Sequence, residues 1–159
     1  MKKRRLLTAI LISSTFAITA EAQTHEINVA EVINKTYNGY ETNSDGGAIT
    51  NSIASTIKDS IFTNNKALNY GAGCAIDINT SSDAVTEVIN STFDNNYSSY
   101  SGSAICQRRY SGPLNITGGS YTNNSAAYEG GALWLGNKSS IASSIDNVLF
   151  EGNSTESTN

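Results

Sequence analysis

Aliphatic, aromatic and glycine positions recur in phase along this chain with a period of roughly 28 residues. An aromatic followed three positions later by asparagine occurs at Phe62 and Asn65, Phe93 and Asn96, Tyr121 and Asn124, and Phe150 and Asn153, so the aromatics stand 31, 28 and 29 residues apart. A second motif alternates with it: Gly46-Gly47-Ala48-Ile49, Gly73-Cys74-Ala75-Ile76, Gly102-Ser103-Ala104-Ile105 and Gly130-Gly131-Ala132-Leu133, at spacings of 27, 29 and 28. Five residues before each aromatic stands a β-branched aliphatic, Ile57, Val88, Ile116 or Ile145. A fifth, degenerate copy precedes these, because Val32-Ile33-Asn34-Lys35-Thr36-Tyr37 parallels Val88 to Phe93, with Tyr40 in the asparagine position.

Each copy contains short runs rich in β-branched and aromatic residues, punctuated by Gly and Asn, which predicts strands and turns. One copy is too small to bury its own apolar face. Stacked copies can do so, each strand pairing with its counterpart about 4.8 Å away in the next coil. The expected fold is an all-β parallel β-helix (solenoid) of about 4–5 coils over residues 32–159, after a lead-in at 23–31. Like residues then lie above like residues. This gives an internal aliphatic column, an aromatic column, and a ladder of Asn65, Asn96, Asn124 and Asn153 at a turn, where Asn tolerates left-handed backbone. Glycine in the second motif permits a sharp bend or close backbone approach. Residues 79–84 and 107–113 depart most from the repeat and are expected to project as loops. The last copy breaks off before its glycine motif, which reads as an incomplete repeat array.

Composition adds the compartment. Lys2-Lys3-Arg4-Arg5, the apolar stretch Leu6 to Ala20, and Ala20-Glu21-Ala22 form a secretory signal over residues 1–22, with cleavage between Ala22 and Gln23. The apolar run is too short and polar to span a bilayer of about 30 Å, and no second one follows, so no membrane insertion by this segment is expected. After cleavage, six lysines and arginines against thirteen acids leave a net charge of −7. That argues against nucleic acid or an anionic membrane surface as partner.

Catalytic chemistry finds few candidates. His25 is the only histidine, placed at an expected frayed terminus, so a catalytic triad or a His-rich metal site has no members to draw on. Asp45, Asp77, Asp83, Glu87, Asp94 and Glu129 are scattered in the repeat frame, which predicts a solvated acidic surface rather than the paired carboxylates of a glycosidase or a metal site. No cofactor is expected. Cys74 and Cys106 differ by three positions in adjacent coils, which places their Cα atoms roughly 11 Å apart, beyond disulfide reach. Parity puts Cys106 on the outer face as a partly covered free thiol.

The alternation of Gly-Gly-Ala-aliphatic with Phe-x-x-Asn over roughly Val32 to Ser154 resembles the repeats of the chlamydial polymorphic outer membrane proteins and related autotransporter passenger domains. The resemblance implies a right-handed β-helix, Sec export, display at the outer membrane or cell surface through a C-terminal β-barrel translocator, and adhesion in virulence. No barrel-like strand pattern is present in this chain. The implied partner is a protein or glycan on a host or neighbouring cell, met by the motif-bearing face or by the two loops. A carbohydrate-active β-helix (lyase or hydrolase, with Arg108-Arg109 as a base) and a purely structural stalk stand as alternatives.

Overall fold

The computed structural model describes residues 25–68, 75–81, 83–136 and 142–157. The expected signal, its cleavage point at Ala22 and Gln23, and the motif residues Gly73 and Cys74 lie outside these residues. Every regular element among the described residues is a short strand, and the strands stack in four parallel sheets of five strands each.

Sheet 1 comprises Glu26–Ile27, Ile49–Asn51, Ile76–Ile78, Ile105–Gln107 and Leu133–Leu135. Sheet 2 comprises Glu31–Ile33, Ser55–Lys58, Thr86–Ile89, Leu114–Thr117 and Ser144–Asp146. Sheet 3 holds Thr36–Asn38, Ile61–Thr63, Thr92–Asp94, Ser120–Thr122 and Leu149–Glu151. Sheet 4 holds the two-residue strands Glu41–Thr42, Lys66–Ala67, Tyr97–Ser98, Ser125–Ala126 and Ser154–Thr155. The chain visits the sheets in this order again and again, so each strand hydrogen-bonds to the copies before and after it. This is a parallel β-solenoid of about four turns, and it already begins at Glu26–Ile27, which pair with Ile49 and Thr50.

The register follows the repeat. Val32, Ile57, Val88, Ile116 and Ile145 are successive partners in sheet 2. Tyr37, Phe62, Phe93, Tyr121 and Phe150 are successive partners in sheet 3. From Tyr37 to Tyr121 the rings stack at centroid separations of 4.7 Å, and the last pair opens to 5.2 Å with a tilt of 31°. Parallel displaced rings at this spacing are favourable, and the strand separation delivers the spacing without adjustment. The core is the inward column from each sheet: Ile49, Ile76 and Ile105 with Ala48, Ala75 and Ala104, then the sheet 2 aliphatics, then the rings.

Two corners turn on one left-handed residue per coil, except that Gly119 follows Gly118 in the same conformation. Between sheets 2 and 3 these are Asn34, Asp59, Asn90, Gly118 and Asn147; between sheets 3 and 4 they are Gly39, Asn64, Asn95, Asn123 and Gly152. Left-handed backbone was expected at the second Asn of each Asn-Asn pair, the ladder residue. It falls instead on the residue before, because the corner must be turned before the ladder side chain can point inward. Length variation between copies is confined to the corners on either side of sheet 1. Sheets 2, 3 and 4 keep one spacing throughout.

The ends differ. At the start, Tyr37 donates its hydroxyl to Glu26 at 2.8 Å, Lys35 pairs with Glu26 at 3.7 Å, and His25 is half-buried rather than frayed. In the last described coil Ile145, Leu149 and Phe150 are exposed.

Candidate functional site

The asparagine column is the most highly connected feature of the interior. The Oδ1 atoms of Asn96, Asn124 and Asn153 each accept two bonds from the asparagine one coil earlier. Asn65 donates its backbone N–H to Asn96 Oδ1 at 3.1 Å and its Nδ2 to the same atom at 2.9 Å. Asn96 does the same to Asn124, and Asn124 to Asn153. Each Nδ2 also reaches the carbonyl of an aromatic one coil back: Asn65 to Tyr37, Asn96 to Phe62, Asn124 to Phe93, Asn153 to Tyr121. Tyr40, in the first copy, keeps only the backbone half of the pattern, donating its N–H to Asn65 Oδ1 at 3.0 Å. Asn65, Asn96 and Asn124 are buried, and Asn153 is half-buried.

The glycine motif builds the corner before sheet 1. Gly46, Gly102 and Gly130 all have φ between 63° and 72°. A Cβ on Gly102 would stand 2.8 Å from the Ile105 carbonyl oxygen and 3.0 Å from the Cβ atoms of Cys106 and Trp134. The motif thus folds the chain back over the outer face of sheet 1. Gly102→Ala is expected to lower stability by roughly 2 kcal/mol or more, since a left-handed Ala costs about 1–2 kcal/mol before any steric conflict; urea unfolding followed by circular dichroism measures it.

That fold-back explains two departures from expectation. Cys106 does lie on the outer side of its strand, paired in register with Asp77 and Trp134, yet it is fully buried because the glycine corner covers it. Its thiol is free. Burial pushes the thiol well above its ordinary range, and the neighbouring Asp77 adds to the effect. In a Cys74→Ser chain, Cys106 is therefore expected to resist a thiol-reactive dye in buffer and to react only after denaturant opens the coil.

Asp77 was expected on a solvated surface, but it too is buried. Arg108 donates from Nε to both carboxylate oxygens of Asp77, at 3.0 and 3.1 Å, and its guanidinium also pairs with Asp45. One arginine therefore joins three successive coils. Burial raises the Asp77 carboxyl to about 7, against the lowering influence of Arg108, while its two carboxylate partners raise the Arg108 guanidinium further despite partial burial. Sequence reasoning missed this cluster because its members lie 31 or more residues apart. The available signal was that Asp77 occupies an outward strand position directly beneath Cys106.

The 107–113 loop does not project as expected, while Asn79, Ser81 and Asp83 of the other are exposed. Ser111, Gly112 and Pro113 are buried, and Gln107 is the last, buried residue of its sheet 1 strand. Ser111 Oγ donates to the Ile78 carbonyl at 3.0 Å, and the Gly112 N–H donates to Thr80 Oγ1 at 3.1 Å. The 107–113 segment is thus stacked on the 79–84 segment as another layer of the coil. Only its tip, Arg109 and Tyr110, stands in solvent.

Most motif side chains therefore point inward. Ala48, Ala75, Ala104 and Ala132 are buried, as are Ile49, Ile76, Ile105, Phe62, Phe93 and Tyr121, while Gly131 and Leu133 are half-buried and Phe150 is open. What faces solvent is the lateral wall. Along the corner of sheets 3 and 4 runs a groove of about 610 Å³, with Glu41, Asn64, Lys66, Asn95 and Tyr97 in its lining. Nearer sheet 1, Tyr100, Tyr128, Glu129 and Trp134 line a second hollow of about 410 Å³. Among the described residues, no group of three or more His, Cys, Asp or Glu could hold a metal ion, and no helix is long and apolar enough to cross a membrane.

Residues 90–108 match the family model of the Chlamydia polymorphic membrane protein repeat. The matched segment runs from the left-handed Asn90 through Phe93, Asn96 and the Gly102 corner to Arg108, which is one aromatic-asparagine motif with its following glycine motif. No curated protein and no solved structure gives a match. The chain thus carries a repeat of the polymorphic membrane protein type, which suggests a surface protein of autotransporter type.

Proposed function

We propose that this chain is a surface-exposed or secreted autotransporter-type passenger segment that adheres to host or neighbouring cells, and not an enzyme. The observation that carries the reading is the matched repeat at 90–108, set in register among further copies of itself. A solenoid of this kind turns its repeating pattern to the interior and leaves a long, stiff lateral wall for contact. The partner is a cell-surface protein or glycan. Export proceeds through Sec, and a C-terminal β-barrel performs the translocation. The carbohydrate-active alternative draws support from the groove beside sheets 3 and 4, but hydrolysis needs two facing carboxylates, and Glu41 is the one acid in that lining.

The test is adhesion of beads coated with the exported chain to epithelial cells. Binding well above beads coated with an unrelated β-solenoid is expected. Equal binding of the two would remove the adhesive reading, and release of reducing sugar from polysaccharide would replace it with the enzymatic one.

A further inference from the structure

We infer that Tyr100, Tyr128, Trp134 and Glu129 form a receptor pocket for the arginine side chain of a partner protein. The inference rests on the adhesive reading for the existence of that partner, and on geometry for its chemistry. Tyr128 lies one coil beyond Tyr100, held there by its N–H to the Tyr100 carbonyl at 2.9 Å. The two rings sit 5.4 Å apart at 55°, and 40% and 49% of the two residues is exposed. Trp134 Nε1 donates to Glu129 Oε2 at 3.0 Å. Together with the buried Ser101 these residues enclose the hollow of about 410 Å³.

Nothing in the coil demands aromatics here. The same place, four residues beyond the ladder position, holds Ser44 in the first copy and Ser157 in the last. The Trp134 column holds Thr50, Asp77 and Cys106 in earlier coils. Large aromatics held side by side in solvent, without a packing role, are the residues that dominate binding energy at protein interfaces. The chemistry on offer selects the ligand. The sole indole donor is taken up by Glu129, so the hollow presents ring faces and a carboxylate, with no lysine or arginine in its lining. Ring faces attract cations within about 6 Å of their centroids. A guanidinium is the best match, because it stacks flat on an aromatic while pairing with a carboxylate. The exported chain's charge of −7 draws cationic surfaces toward it.

Trp134 is the only tryptophan, so the full chain carries its own reporter. The probe is acetyl-Gly-Arg-Gly-amide, with the citrulline peptide as neutral isostere and a neutral cello-oligosaccharide as the sugar control. Expected are saturable change in Trp134 fluorescence and a shift of its indole N–H resonance with the arginine peptide. Binding is expected to weaken roughly 3- to 30-fold on Tyr128→Ala or Glu129→Gln, and to fall with added salt. Equal response to arginine and citrulline, response to the oligosaccharide instead, or no response would each overturn the assignment. Thermal melts check that the variants fold, and Glu129→Gln, at an exposed carboxylate, serves alone if Tyr128→Ala does not. Should peptide binding fail while cells are still bound, this pocket assignment falls and the adhesive reading stands; the reverse pattern removes the adhesive reading only.

Discussion

Asn96→Ala is expected to lower the unfolding free energy by about 3–6 kcal/mol, because it takes bonds from buried partners in both neighbouring coils and each unsatisfied buried group costs about 1–3 kcal/mol. The Asn65 N–H loses its Asn96 acceptor, Asn65 Nδ2 loses one of its two acceptors, the Phe62 carbonyl loses a donor, and Asn124 Oδ1 loses one of its two donors. Water cannot compensate, since Asn65, Asn96 and Asn124 are all buried. The defect also sits mid-array, so it weakens the interfaces to the coils on both sides. Against a typical domain stability of about 5–15 kcal/mol this approaches unfolding at body temperature. Asn153→Ala is the matched comparison. Asn153 is half-buried, where water can replace lost bonds, and it donates to the Tyr121 carbonyl but to no later ladder oxygen, so the loss there should be smaller. Urea midpoints of the two variants measure the difference. Equal losses would mean that the ladder acts coil by coil and not as a shared network.

The second large effect belongs to Arg108. Arg108→Met is expected to destabilise little at acid pH and increasingly above pH 7, by up to about 3–5 kcal/mol, because only there is a buried ionised carboxylate left without its partner. Asp77 is the stranded group, fully covered beneath the glycine corner. The pH dependence identifies it. The Asp77 carboxyl is held at about 7 in the folded chain, above its ordinary 3.8, chiefly by burial. The folded state therefore binds the proton more tightly than the unfolded one. The contribution of Asp77 to stability is greatest below about pH 3.8 and is lost progressively as the pH rises through 7. Asp77→Asn should remove that decline. Arg108→Met should steepen it, because only the ionised carboxylate needs the guanidinium. Urea melts of the three proteins at pH 4.5, 6 and 7.5 distinguish these slopes. A wild-type stability that rises across this range relative to Asp77→Asn would mean that attraction to Arg108 outweighs desolvation.

The sheets and columns were legible in the sequence because a solenoid repeats its contacts. Ile57, Val88 and Ile116 pair in the structure at the phase they share in the chain. The Phe62, Phe93 and Tyr121 stack follows from the same spacing. Register in such a fold is set by which side chains can be buried, and that is a property of local sequence. The fates of Cys106, Asp77 and the 107–113 segment were not legible. Strand parity correctly turned Cys106 away from the aliphatic core. It could not say that the outer face of sheet 1 has a cover of its own, made by Gly102 folding back over it.

The period, the parallel stacking, the inward aliphatic and aromatic columns and the asparagine ladder at a turn all follow from residues that recur at one phase. Contacts between dissimilar residues of different coils emerge only when the chain is wound up. Winding assembles Asp45, Asp77 and Arg108 into one ion-pair cluster around a buried carboxylate, and Tyr100, Tyr128, Glu129 and Trp134 into one open pocket. These groupings occur once in the described chain and have no period to announce them. They exist because stacking coils about 4.8 Å apart brings together side chains that lie some 28 residues from one another along the chain.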